Sequence, residues 1–121
     1  MSFRLTSTLA AAVCAALALV LFFTPAVIYW LFQLAPHESA DFIARRAAMM
    51  FAGLAVLSFQ ARVLLERSAQ RAVSIGMVVM MAGLAVLGAW EFLIGRAGPG
   101  IFLAVGTELF FALSFAGIWR G

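Results

Sequence analysis

Glu108 sits inside an otherwise unbroken apolar run over 101–119, and it is the residue of this chain best placed to do chemistry. At helical rise it lies about 13 Å in from Pro99, near the centre of a bilayer, where a charge is costly and is usually kept for a purpose. A carboxyl at that depth can relay a proton, bind a cation, or make a polar contact to a neighbouring helix or a partner subunit. It must be neutralised by a proton or by a cation that reaches it. Ala104, Phe111, Ala112 and Phe115 share its helical face, and Thr107 is its only polar neighbour in sequence. Arg45 or Arg46 could extend toward it.

A second polar group consists of Asp41, Arg45, Arg46, Glu91 and His37. Arg45 and Arg46 lie about one turn, roughly 6 Å, inside the second apolar segment, and Glu91 lies at a similar depth at the same end of the third. An Arg–Glu bridge between those segments is the natural expectation, because either charge alone would be costly there. Asp41 and Arg45 stand at i,i+4 spacing, which supports a helix, and His37 belongs to the loop just above. The cluster reads as a clamp that sets helix register or, alternatively, as a site for an anion or a lipid head group. Gln60 adds one weaker polar position.

The elements that would carry these residues are four apolar segments, 9–34, 42–65, 72–94 and 99–119, each near the ~20 residues a helix needs to cross the hydrocarbon core. Short polar joints at 35–41, 66–71 and 95–98 make sequential helices antiparallel neighbours. The fold class is therefore all-α integral membrane, an antiparallel four-transmembrane-helix bundle in one membrane domain, with no residues left for a soluble one. Composition agrees: 66% of residues are apolar, 11% are charged and the mean hydropathy is +1.12. A soluble domain of this size lacks the interior to hide that much apolar surface. The first segment, with Arg4 ahead of it, has the outline of a signal peptide, but it runs on too long and lacks a polar cleavage region, so it is expected to remain as a span.

Arginine placement sets the expected orientation. With the N-terminus inside, Arg4, Arg62, Arg67, Arg71 and Arg120 are cytoplasmic and Arg45, Arg46 and Arg96 are outside. N-in and C-in is the reading, with Tyr29, Trp30, Trp90 and Trp119 as interfacial anchors. All eight basic residues are arginine, which fits the coding bias of a GC-rich bacterial genome. The arginines are scattered at span ends, which argues against nucleic-acid binding.

Cys14 is the only cysteine and His37 the only histidine, so one chain offers no disulfide, zinc set or bis-histidine haem. No cofactor and no metal are expected. No nucleophile–base pair stands out, so the chain is read as a non-enzyme. Thr24-Pro25 inside the first segment predicts a kink. AGLAVL occurs at 52–57 and again at 82–87, either by chance or as a trace of inverted duplication. Ala72, Gly76 and Gly83 are the small residues expected to let helices approach closely.

In layout, the chain resembles small four-helix bacterial inner-membrane proteins of the DoxX-like kind. The residues that carry this are Pro25 late in the first segment, Ala44-Arg45-Arg46 ahead of Gly53-Leu54, and Trp90-Glu91-Phe92 closing the third. The resemblance implies an inner-membrane location and accessory or redox-linked roles. Small multidrug transporters share the length and the lone buried carboxylate, but they carry it in the first span. Two functions follow. One is an accessory subunit or membrane-embedded interaction protein without its own catalysis, partnered by lipid and by other membrane subunits or further copies of itself. The other is a small proton-coupled transporter or carrier using Glu108.

Overall fold

The computed structural model describes residues 2–35 and 37–121, which form helices and no strand. In chain order these are α1 (Phe3–Phe23), α2 (Pro25–Phe32), α3 (Glu38–Ala61), α4 (Arg67–Leu93) and α5 (Ile101–Arg120). Four of them, Phe3–Phe23, Ala40–Ala61 within α3, Arg67–Leu93 and Ile101–Arg120, are long and apolar enough to cross a membrane.

Hydrogen bonding decides where these helices begin and end. Ser2 caps α1 by accepting the Leu5 N–H at 3.1 Å, so the helix starts earlier than the apolar run. At the other end Thr24 leaves helical geometry (φ −138, ψ 60) while its N–H still reaches the Val20 carbonyl. Pro25 has no N–H to continue the ladder, but its fixed φ suits the first turn of a new helix. The expected kink is thus a full break, and the segment read as one span over 9–34 is α1 followed by the short α2. Gln33 ends α2 in the left-handed conformation (φ 57), with the Leu34 N–H bonded to the Tyr29 carbonyl at 2.7 Å. Between α3 and α4 the Gln70 side chain donates to the Leu64 carbonyl at 2.8 Å, which fastens the turn.

The helices associate as two close pairs, α1 with α3 and α4 with α5. Ala10, Ala11, Cys14 and Ala18 on α1, and Ala44 and Ala48 on α3, are all buried. Small residues at such positions let backbones approach and gain dispersion contacts, which is how helices associate when lipid removes the hydrophobic drive. In the second pair Ala85, Ile101 and Val105 form a buried cluster, and a methyl added at Gly88 would stand 2.9 Å from Val105 Cγ2. Close approach therefore falls at Gly88. Gly76 and Gly83, expected to serve that purpose, have open space beside them, and Ala72 is exposed. Gly53 and Gly83, the equivalent glycines of the two AGLAVL copies, both face open space.

The pairs meet through Phe3 and Ala10 of α1, Met77 and Met81 of α4, and Phe111 and Phe115 of α5. Along α3 and α4 they stand apart, leaving an apolar cleft of about 510 Å³ between Leu57 and Leu64 on one wall and Ala72, Gly76 and Met80 on the other. Away from that cleft the loop before α5 is fastened to α2. The Gly98 N–H donates to the Phe32 carbonyl at 2.7 Å. Gly100 lies so close to the Leu31 carbonyl that any side chain there would collide with it. Large apolar side chains such as Met50, Leu65, Val86 and Leu113 point outward, as expected of helices solvated by lipid.

Candidate functional site

Glu108 occupies the buried stripe of α5. Ile101, Val105, Ala112 and Phe115 are buried and recur at alternating four- and three-residue steps, and position 108 falls in that series. Heptad-like spacing of this kind turns one helix face toward the interior. The carboxylate is thereby aimed at the seam between the two helix pairs, where it lines a cavity of about 200 Å³.

Every helix contributes to the wall. Cys14 and Leu17 come from α1, Leu31 and Phe32 from α2, Phe51 from α3, Met81 from α4, and Ala104, Thr107 and Phe111 flank Glu108 on α5. The break at Thr24-Pro25 matters here, because it gives α2 a direction of its own and so brings Leu31 and Phe32 to this wall. Oε2 of Glu108 is buried with no hydrogen-bond partner among the described residues. Thr107 spends its hydroxyl proton on the Leu103 carbonyl at 2.9 Å, one turn back along the same helix. Arg45 and Arg46, the cations that could have reached Glu108, are exposed, and neither forms an ion pair with it. The site is thus an apolar chamber with one acidic group and, among the described residues, no fixed cation, an arrangement that costs free energy unless something enters to satisfy it.

The second polar group is divided. Glu91 pairs with Arg96 at 3.7 Å, and the Arg96 N–H also bonds the Glu91 carbonyl at 2.9 Å. The expected bridge from Glu91 to Arg45 or Arg46 is not made among the described residues. The physical reason is lateral. Equal depth does not bring α3 and α4 together when α3 packs on α1 and α4 packs on α5. Arg46 instead lies 5.9 Å from the centre of the Phe42 ring. Asp41 and Arg45 lie near the buried hydroxyl of Tyr29, which is not within hydrogen-bonding geometry of any described residue. His37 is exposed, and its carbonyl accepts the Asp41 N–H at 3.0 Å. Asp41, Arg45 and Tyr29 are therefore neighbours, while Glu91 belongs to the α4–α5 connection. No metal-binding group of His, Cys, Asp and Glu forms among the described residues.

No protein family, curated protein or solved structure matches this chain.

Thr6, Ser7, Ser58 and Ser74 are buried polar residues that the hydropathy pattern does not mark. Ser7 and Ser74 are fully buried, and neither hydroxyl has a partner among the described residues. Other hydroxyls, those of Thr6, Thr8, Thr107 and Ser114, bond the carbonyl four residues earlier. Ser7 lies seven residues before Cys14, and Ser74 seven before Met81; both of those later residues line the Glu108 cavity. That shared heptad offset was the signal available in the sequence, and it places each serine about 10 Å along its helix from the chamber.

Proposed function

We propose that this chain is a small proton-coupled carrier of the bacterial inner membrane, an antiparallel four-helix bundle with both termini on the cytoplasmic side. Glu108 is its binding acid. Gathering of the helix ends supports the bundle and its orientation. Ser2, Phe3, Arg67, Gln70 and Gly121 line one recess, and Arg4 and Arg62 line the next, so the arginine-rich ends lie together.

The observation that carries the carrier reading is the buried, partnerless Oε2 of Glu108 in a chamber shared by every helix. A lone carboxylate in an apolar chamber can be satisfied by a proton or by a cationic ligand, but not by both at once. Mutual exclusion at one group is linkage: ligand entry expels the proton, and protonation expels the ligand. A cavity on the seam between two separately packed pairs suits such exchange, since the pairs can shift against one another without being unpacked themselves.

The apolar cleft between α3 and α4 favours a second reading, an accessory subunit whose partner's helix fills that gap, in keeping with the DoxX-like layout. Proteoliposomes loaded with a pH-sensitive dye separate the two. A panel of organic cations, anions and neutral solutes is added outside. A carrier moves protons in response to at least one class, and Glu108→Gln, still folded, responds to none. A chain that responds to no class and purifies from gentle detergent in fixed ratio with another membrane protein is an accessory subunit.

A further inference from the structure

Resting on the carrier reading, we propose that the ligand of the Glu108 chamber is a compact hydrophobic monocation, an aryl or alkyl ammonium little larger than a benzene ring with a small cationic head. The walls determine the class. The chamber presents one carboxylate, with no arginine among its lining residues, and the Thr107 hydroxyl proton is already given to Leu103. An anion would meet a like charge on the ionised acid and only a single O–H donor on the protonated one. A neutral polar ligand would find little to satisfy it, because the remaining wall is aliphatic, aromatic and sulfur-bearing.

A cation meets the opposite situation. Glu108 supplies the counter-charge, and a charge pair is strengthened where water is scarce. Phe32, Phe51 and Phe111 bring aromatic rings to the same chamber, and ring faces attract ammonium groups, including quaternary ones that cannot donate a hydrogen bond. Met81 and Cys14 add polarisable, adaptable surface to the wall. Size follows from volume. An apolar cavity of about 150 Å³ takes up benzene, so a chamber of about 200 Å³ has room for that ring and a small head group. Drug-sized ligands need about 300 Å³ or more and are excluded on that ground.

The test uses the purified full chain in lipid nanodiscs and three probes of similar size: benzylammonium, its uncharged isostere ethylbenzene, and benzoate. Equilibrium dialysis should show saturable binding of benzylammonium at one per chain. Glu108→Gln should weaken that binding about tenfold or more, the loss expected for an interaction with a charged group. Ethylbenzene should bind weakly and equally to both proteins, and benzoate to neither. A second variant leaves the acid in place: Ala104→Leu narrows the chamber and should reject benzylammonium while keeping methylammonium. Unchanged binding in Glu108→Gln, or ethylbenzene competing as well as the cation, overturns the proposal. Cation binding without accompanying proton movement in proteoliposomes removes the carrier reading and leaves the ligand class standing. Proton movement driven only by an anion or a neutral solute does the reverse.

Discussion

Leucine is close to glutamate in length but makes no demand for a hydrogen bond, so Glu108→Leu isolates the energetic consequence of placing an acid in the chamber. Oε2 is enclosed without a partner among the described residues, and a buried polar group left unpaired costs about 1–3 kcal/mol. In lipid the leucine gains little from leaving water, since both folded and separated helices are already out of it. The polar contribution therefore dominates, and Glu108→Leu should stabilise the protein by about 1–3 kcal/mol while abolishing ligand-linked proton movement. Glu108→Gln keeps a polar group at the same place and should change stability much less. Reversible unfolding by dodecyl sulfate from mixed micelles, followed by circular dichroism, measures both variants against the parent. A loss of about 3–5 kcal/mol in Glu108→Leu is the signature of a broken buried ion pair. It would refute the claim that the carboxylate stands alone.

Packing supplies a second expectation. Gly88→Val drives its side chain into Val105, whose Cγ2 would lie 2.9 Å from the first added carbon. It should cost about 1–3 kcal/mol in the same assay, and Val105→Ala in the same chain should recover most of that loss. The Glu91–Arg96 pair is long, at 3.7 Å, and its arginine is 72% exposed, so Arg96→Ala should change stability by less than about 1 kcal/mol. Ser7→Ala and Ser74→Ala each remove a fully buried hydroxyl that has no partner among the described residues. Each should be neutral or stabilising by up to about 1–3 kcal/mol, whereas a clear loss from either would mean that the serines are bonded through the core.

The four long helices were legible because hydropathy marks stretches long and apolar enough to cross a membrane, and that signal is strong in this chain. Their ends were less legible. Ser2 caps α1 ahead of the apolar run, and α4 takes Arg67, Ser68 and Gln70 into its first turn, because hydrogen bonding rather than hydropathy ends a helix. At the site, the depth of Glu108 could be counted from sequence, but its inward direction could not, because the 101–119 run is apolar on every face and only burial singles out the Ile101–Val105–Ala112–Phe115 series. Nor was the choice of neighbour legible. Arg45, Arg46 and Glu91 share a level, but level is one coordinate, and the alanines of α1 and α3 decide which helix α3 lies against. A proline signals a disturbance without fixing its size, so the break at Thr24 and the wall that α2 contributes could be read only in three dimensions.

The fastening between the α4–α5 loop and α2 has a mechanical consequence. Gly98 and Gly100 pin one end of the seam to the α2 backbone, while at the other end α3 and α4 are separated by open space. The turn over 62–66 closes the far end of that space and the contacts of Phe3, Met77 and Phe115 floor it, so the two limbs are tied at both ends and can only rock about the seam. A crosslink from Leu57 to Gly76 would arrest that rocking, whereas one from Ala48 to an α1 neighbour would lie within a limb and leave it free. Glu108, set on the seam, would then be uncovered by a small rotation of whole limbs rather than by the melting of any helix.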